Sequence, residues 1–292
     1  RSAPAAEKHE RRADAFARRL GPTRRLIAVE GSNTIEALVA YLGALRGRHP
    51  VILTAVGSAQ EQICAGYHPD FRFSQAEEGA RLEGDATPVR PFHPDLALLL
   101  STSGTTGSAK LVRLSLGAVQ ANAAAIGEYL RLNADERPIT SLPIHYSYGL
   151  SVVNSHLSCG ATLLLTDRSV VDAPFWLFAQ LEGATSLAGV PYTYELLERS
   201  RFRERSDLRI KTLTQAGGRL SRHLVVAYGE WAVANAARFF VMYGQTEATA
   251  RMAYLPPERL LSDPDAIGVA IPGGRFRLVD EAGGEIETAG PV

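Results

Sequence analysis

Short apolar runs without polar alternation recur along this chain, separated by longer segments whose apolar positions follow helical spacing. "RRLIAVE" predicts a strand, "NTIEALVAYLGALRG" a helix capped by Asn33 or Thr34, and "PVILTAV" a second strand, which together make a β-α-β unit. The alternation continues with "LALLLST" and a helix through "SLGAVQANAAAIGEYLRL", then "RPITSLPI" and a helix near "GLSVVNSHLSCG". Beyond these, the strand candidates "ATLLLTD", "TSLAGV", "IKTLTQAG" and "RFFVMYG" are interleaved with helical "PFWLFAQLEGA", "YTYELLERS" and "RHLVVAYGEWAVANA". Apolar runs of this kind suit strands covered on both faces, hence an α/β fold with mainly parallel sheets flanked by helices. Ligands of such folds gather beyond the carboxyl ends of the strands.

The two ends of the chain differ in texture. Residues 1–20 are highly charged, with Ala13, Phe16, Ala17 and Leu20 at helical spacing, which predicts a peripheral amphipathic helix or tail without chemistry of its own. Residues 21–265 carry the α/β pattern. After Pro264 the chain turns Gly-rich, with alternation in "RFRLVD", so residues 266–292 are expected to begin a small β subdomain. The start at Arg1, not Met, points to a trimmed chain.

Composition narrows the partners. With 292 residues and 46% hydrophobic content the chain can bury a sizeable core, and Lys plus Arg equal Asp plus Glu at 31 each. No net field favours nucleic acid or a membrane surface, so a charged ligand must be met locally. Cys64 and Cys159 have neither CxxC nor Cys/His spacing, which suggests no disulfide framework and no zinc site. No apolar run is long enough for a membrane span, and the first twenty residues lack the apolar centre of a signal peptide, so a reducing cytoplasm is the expected location.

Candidate chemistry begins at "LLLSTSGTTGSAK", Leu98 to Lys110, where a buried strand runs into hydroxyls and glycines. Gly104 and Gly107 permit backbone turns that aim several N–H groups inward, and Ser101, Thr102, Ser103, Thr105 and Thr106 add hydroxyl donors. Lys110 supplies one compact positive charge suited to outer phosphates. A flexible linker is the alternative, countered by the strand before the run and the helix expected directly after it. The common P-loop needs Lys immediately after the second Gly and then a hydroxyl; here Ser108 and Ala109 intervene and Leu111 follows. G-x-G-x-x-G and G-x-S-x-G are absent as well.

The spacing of this loop resembles the signature of the adenylate-forming superfamily, which includes acyl-CoA synthetases, firefly-type luciferases and peptide-synthetase adenylation domains. The likeness extends from about Glu30 to the last residue, with three further segments in the family's order. "TQAGGRL" places Gly217-Gly218 at a strand end, where exposed backbone can face a flat ring. The resemblance makes Ala216, Gly217, Gly218 and Arg219 part of an adenine pocket, although Arg219 departs from the small or acidic residue usual there. "FFVMYGQTEAT" ends an apolar strand in Tyr243-Gly244-Gln245-Thr246-Glu247. An aromatic ring, a hydroxyl and an acid at that point can stack on a purine, bond the α-phosphate and hold Mg²⁺, the roles the family gives to Tyr243, Thr246 and Glu247, with Thr106 a weaker metal contact. "SLPIHYSYGL" offers His145, Tyr146, Tyr148 and Gly149 as an acyl-pocket wall, with His before the aromatic where the family often has the reverse. "GVPYTYELL" adds Val190, Pro191, Tyr192 and Thr193 as candidates bordering the same pocket.

The resemblance implies ATP- and Mg²⁺-dependent activation of a carboxylic acid to an acyl-adenylate, then transfer to the thiol of coenzyme A or of a phosphopantetheinyl carrier protein. Thr246, Glu247, Lys110 and His145 are the residues expected nearest the chemistry, with Thr102, Ser103, Gly104, Thr105, Thr106, Gly107, Gly244 and Gln245 completing the nucleotide site. Relatives continue into the rest of the β subdomain and a mobile lid with a further Lys. Nothing here corresponds to that lid, so this chain is expected to have weak or no turnover alone. A γ-phosphate-transferring kinase or ATPase, and a non-catalytic nucleotide-binding or scaffold module of the same fold, are the competing readings.

Overall fold

The computed structural model describes residues 3–76, 79–84, 90–102, 110–280 and 283–285. Two units are distinguished by their internal contacts: Arg1–Ala121 with Thr140–Asn154 and Leu165–Arg168, and Asn122–Ile139 with Ser155–Leu164 and Ser169–Val292. Each contains one six-stranded sheet with a parallel centre.

The first unit opens with α1 (Ala3–Leu20), followed by β1 (Ile27–Glu30), α2 (Ile35–Arg46), β2 (Val51–Thr54), α3 (Ser58–Tyr67), β3 (Phe71–Ala76), β4 (Gly79–Gly84), β5 (Leu96–Ser101) and β6 (Leu111–Ser115). The strand order is β4-β3-β1-β2-β5-β6. β3, β1, β2 and β5 are parallel, while β4 and β6 pair antiparallel at the two edges. All four residues of β1 and of β2 are buried, as their unbroken apolar runs require. Thr34, one of the two expected caps, accepts a hydrogen bond from the Ala37 amide and starts α2. The charged N-terminal helix does form, and Ala13 and Leu20 on its apolar stripe are buried. Gly43 on α2 lets the two helices approach closely: a Cβ there would lie 2.6 Å from the Ala13 carbonyl oxygen.

The helix α4 (Leu116–Leu130) and the short β7 (Pro138–Ile139) come next, then α5 (Ser147–Ser158). The second unit continues through α6 (Ala173–Leu181), β8 (Ser186–Gly189), α7 (Pro191–Arg199), β9 (Thr212–Gln215), α8 (Arg222–Ala234), β10 (Arg238–Tyr243), β11 (Ala253–Leu255) and β12 (Val269–Ala270). Its sheet runs β12-β11-β10-β9-β8-β7, with β7 to β10 parallel and β11 and β12 antiparallel. Its core is rich in rings: Phe175, Tyr194, Tyr228 and Phe239 are essentially inaccessible, and Tyr194 stands edge-on to Tyr228 at 4.8 Å between centroids. The architecture is the mixed α/β one expected, with mainly parallel sheets and helices against them.

Two local expectations need correction. Lys110 leads into β6, not directly into a helix: Ser101 pairs with Leu111, and β5 and β6 run antiparallel. The helix starts afterwards, where the Ser115 hydroxyl accepts from the Ala118 amide. "ATLLLTD" does not form a strand. Only Leu164 bridges Ile139, and farther along the Thr140 side chain, not its backbone, bonds the amide and carbonyl of Thr166. The antiparallel pair β3–β4, absent from the sequence-based expectations, places Arg72, Arg81 and Glu83 on one face and Phe71, Phe73 and Leu82 on the other, so it lacks the unbroken apolar run of the central strands. Among the described residues no helix is long and apolar enough to cross a membrane.

Candidate active site

In the second unit the register of three parallel strands brings three sequence motifs to one edge. Gly189, the last residue of β8, pairs with Gln215, the last of β9, and Gln215 pairs with Val241 of β10. Val190-Pro191, Ala216-Gly217-Gly218 and Tyr243-Gly244-Gln245 therefore leave neighbouring strands on the same carboxyl side. Gly218 lies against Pro191, whose Cγ would be 3.1 Å from a Cβ at that glycine. Gly217 and Gly218 both have positive φ and are exposed, and Ala216 is buried beneath them. Tyr243 is 44% exposed, which is high for a large ring at a strand end and leaves its faces open to stacking.

Gln215, which the motif reading passed over, holds the second of these segments in place. It is fully buried, and its Nε2 donates to the Gly218 carbonyl at 2.8 Å. Because a carbonyl can only accept, this contact fixes which end of the amide faces Gly218. Its Oε1 is buried and finds no hydrogen-bond partner among the described residues. A polar residue ending the otherwise compact strand "TLTQ", just before Gly-Gly, was the sequence signal for it. Tyr194 on α7 supports the same strand end by donating its hydroxyl to the Thr214 carbonyl at 2.9 Å.

The segment Thr246–Ala248 forms a single 3-10 turn between β10 and β11. Gly244 is obligatory there, since a Cβ would lie 1.9 Å from the Ala250 carbonyl oxygen. Glu247 is exposed and makes no ion pair among the described residues. Arg219, the unusual residue after Gly218, reaches Asp265 at 3.0 Å, and Arg222 binds the other oxygen of the same carboxylate. The guanidiniums of Arg222 and then Arg219 hold the Asp265 carboxyl below its usual range. Tyr192 is exposed, Val190 is half-buried, and the Thr193 hydroxyl accepts from the Val190 amide at 3.2 Å to start α7.

The remaining candidates belong to the first unit. Thr102 follows β5 and Lys110 precedes β6, and Lys110 is exposed without a carboxylate partner among the described residues. Ser103, Gly104, Thr105, Thr106 and Gly107 lie outside the described residues. His145 sits at the carboxyl end of β1, where its Nδ1 is 3.0 Å from the Gly31 carbonyl. That acceptor requires the proton on Nδ1, so Nε2 carries the lone pair in the neutral ring. Gly31 makes the approach possible, as a Cβ would be 2.7 Å from His145 Cβ. Tyr146 is half-buried and edge-on to Tyr148, which is only 1% exposed and packed in the core at the start of α5. Gly149 is buried with no room for a side chain, since a Cβ would meet the Pro143 carbonyl oxygen at 2.3 Å.

These features fit a nucleotide with its magnesium ion. An exposed ring, a bare Gly-Gly backbone and an acid without an ion pair among the described residues share an edge, and Mg²⁺ is usually held by one or two carboxylates together with substrate phosphates. Among the described residues no cluster of three or more His, Cys, Asp or Glu side chains forms a metal cage of its own.

Two sheets with parallel centres, helices packed against them and motifs at the strand ends make this an α/β fold of the kind that binds ligands beyond its strands' carboxyl ends. A family model described as AMP-binding enzyme matches residues 51–291, and the chain belongs to that family. An indoleacetate–CoA ligase of Aromatoleum aromaticum is 31% identical over 70% of this chain and 40% of its own length. A 2-succinylbenzoate–CoA ligase of Staphylococcus aureus (strain MRSA252) is 27% identical over 60% of this chain and 34% of its own. The chain thus spans well under half the length of these relatives. The crystal structure of VinN superposes with a TM-score of 0.80 over 96% of this chain and 78% of that one, at 21% identity, a likeness of fold.

Proposed function

We propose that the protein containing this chain activates a carboxylic acid with ATP, forming an acyl-adenylate and pyrophosphate, and passes the acyl group to a thiol. A carboxylate oxygen of the acid bonds to the α-phosphorus while the bond from that phosphorus to the bridging oxygen of pyrophosphate breaks. Thiol attack on the acyl carbon then releases AMP. The alignment of Val190-Pro191, Gly217-Gly218 and Tyr243 to Glu247 on one sheet edge carries this reading, and membership of the AMP-binding family supports it.

In this assignment Tyr243 stacks on the adenine, Gly217 and Gly218 offer main-chain groups to its edge, and Gln215 keeps that backbone in position. Thr246 bonds the α-phosphate and Glu247 holds Mg²⁺, which neutralises charge on the phosphate oxygens as pyrophosphate departs. Lys110 and the hydroxyls of residues 102–106 take the outer phosphates. His145 and Tyr146 border the acid, and no protein nucleophile is required because positioning and charge neutralisation supply the catalysis. The indoleacetate–CoA ligase makes aryl acids the first substrates to try and coenzyme A the first acceptor, with a carrier-protein thiol second.

The test is pyrophosphate release by the full-length protein against a panel of aryl, fatty and amino acids, with coenzyme A or carrier protein added. Acid-dependent pyrophosphate together with AMP is expected. ADP as the product would replace this reading by γ-phosphate transfer, and nucleotide binding without acid-dependent release would favour the non-catalytic module.

A further inference from the structure

The turn that carries Thr246 and Glu247 rests on backbone conformations that side chains avoid. Thr249 has φ 59° and Ala250 φ 78°, two successive left-handed residues, neither of them glycine. A β-branched residue in that region is an outlier, and such conformations persist only where surrounding contacts enforce them. The contacts here are specific. Ala248 N donates to the Gln245 carbonyl, Thr249 N to the Thr246 carbonyl and Ala250 N to the Gln245 carbonyl, each at 3.1 Å, while Met252 N closes the hairpin on the Tyr243 carbonyl at 2.9 Å. The left-handed pair seats the Ala250 carbonyl in the space that Gly244 leaves by lacking a Cβ. One residue on, the Asn122 amide, buried on α4, donates to the Arg251 carbonyl at 2.9 Å. Among the described residues the Thr249 hydroxyl makes no hydrogen bond, so its backbone, not its side chain, shapes the turn.

We infer that Thr249 and Ala250 are positioning residues: their left-handed backbone locks against Gly244 and fixes Glu247 where it meets the magnesium ion of the bound nucleotide. The inference rests on the reading of Glu247 as the metal-binding acid. It has a distinctive consequence. Residues at 249 that accept positive φ should preserve metal binding whatever their side chain, and residues that forbid it should weaken metal binding through Glu247.

The experiment follows the thermal stabilisation of the full-length protein by ATP at graded Mg²⁺, for wild type, Thr249→Gly, Thr249→Asn, Thr249→Pro and Glu247→Gln. Glycine and asparagine both tolerate the left-handed region, so these variants should melt no lower than wild type without ligand and keep its half-saturating Mg²⁺. Proline fixes φ near −65° and removes the N–H that bonds Thr246, so Thr249→Pro should raise the half-saturating Mg²⁺ about tenfold or more. Added to Glu247→Gln, it should have no further effect on the Mg²⁺ dependence. Should the proline variant fail to fold, Thr249→Gly decides: a Mg²⁺ requirement raised well above wild type would overturn the inference. Wild-type Mg²⁺ dependence in a folded Thr249→Pro would overturn it too, while leaving the function intact provided Glu247→Gln loses that dependence. A wild-type protein that shows no Mg²⁺-dependent stabilisation by ATP sinks the assigned function and this inference together.

Discussion

Gly244→Ala approaches the same lock from its other side. The added Cβ would stand 1.9 Å from the Ala250 carbonyl oxygen, 2.8 Å from its carbon and 3.0 Å from Arg251 Cα, all of them backbone atoms that no rotamer change can move. Regaining even a 3.0 Å separation from the oxygen requires the turn to shift by 1.1 Å, the difference of the two distances. Forcing a methyl into packed structure costs about 1–3 kcal/mol. Domains of about 150–250 residues shift by about 2–4 °C per kcal/mol and larger chains by less, so the melting temperature should fall by up to about 12 °C. The functional loss should be larger in proportion, since a displacement of about 1 Å near reacting groups can cost roughly a hundredfold. Differential scanning fluorimetry with and without ATP and Mg²⁺, alongside pyrophosphate release, reads both effects. A variant that melts with wild type and keeps its Mg²⁺ dependence would show that the turn accommodates the methyl freely, and the lock would be refuted.

Gln215→Leu should keep the fold, because the lost bond contributes about 0.5–1.5 kcal/mol and the substitution also removes a buried acceptor without a partner. Released from its anchor, Gly218 should bind nucleotide less well, raising the KM for ATP more than it changes kcat; unchanged KM would remove Gln215 from the site. Arg219→Ala should leave the melting temperature nearly unchanged, since Arg219 is exposed and Arg222 still pairs with Asp265, and calorimetric unfolding checks this. His49 gives a pH dependence. Its ring is buried, with Nδ1 accepting the Arg25 amide at 3.0 Å, and burial lowers its pKa, so the native state keeps it neutral where the unfolded chain takes up a proton. Stability carried by that neutral ring is present above the usual histidine pKa of about 6.5 and is lost as the pH falls below it. Unfolding midpoints from pH 8 to 5 should therefore fall less steeply in His49→Gln than in wild type.

The alternation of apolar runs and helical segments was enough to place β1, β2, β5, β8, β9 and β10 and the helices α2 and α4 to α8, because burial on both faces leaves an unbroken apolar signature. Edge strands leave no such mark. "LVRLS" became β6 only because β5 offered an open edge for it, and "ATLLLTD" stayed out of the sheet because β7 is two residues long and Thr140 bonds through its side chain. The site divides in the same way. Residue type and order, through their resemblance to the adenylate-forming superfamily, pointed to Gly217-Gly218, Tyr243 to Glu247 and Lys110 as candidates for a nucleotide site. The sequence could not show that Gly189, Gln215 and Val241 stand in register, that Gln215 turns its amide onto Gly218, or that Tyr148 is packed away in the core. Nor could it show Thr249 and Ala250 in left-handed conformations, since neither residue type prefers them. Local composition determines which groups are available and which segments must be buried, and these are properties of each residue and its near neighbours. Register, clamp and strained turn depend on atoms from distant segments meeting at a few ångströms, and only the folded chain decides those meetings.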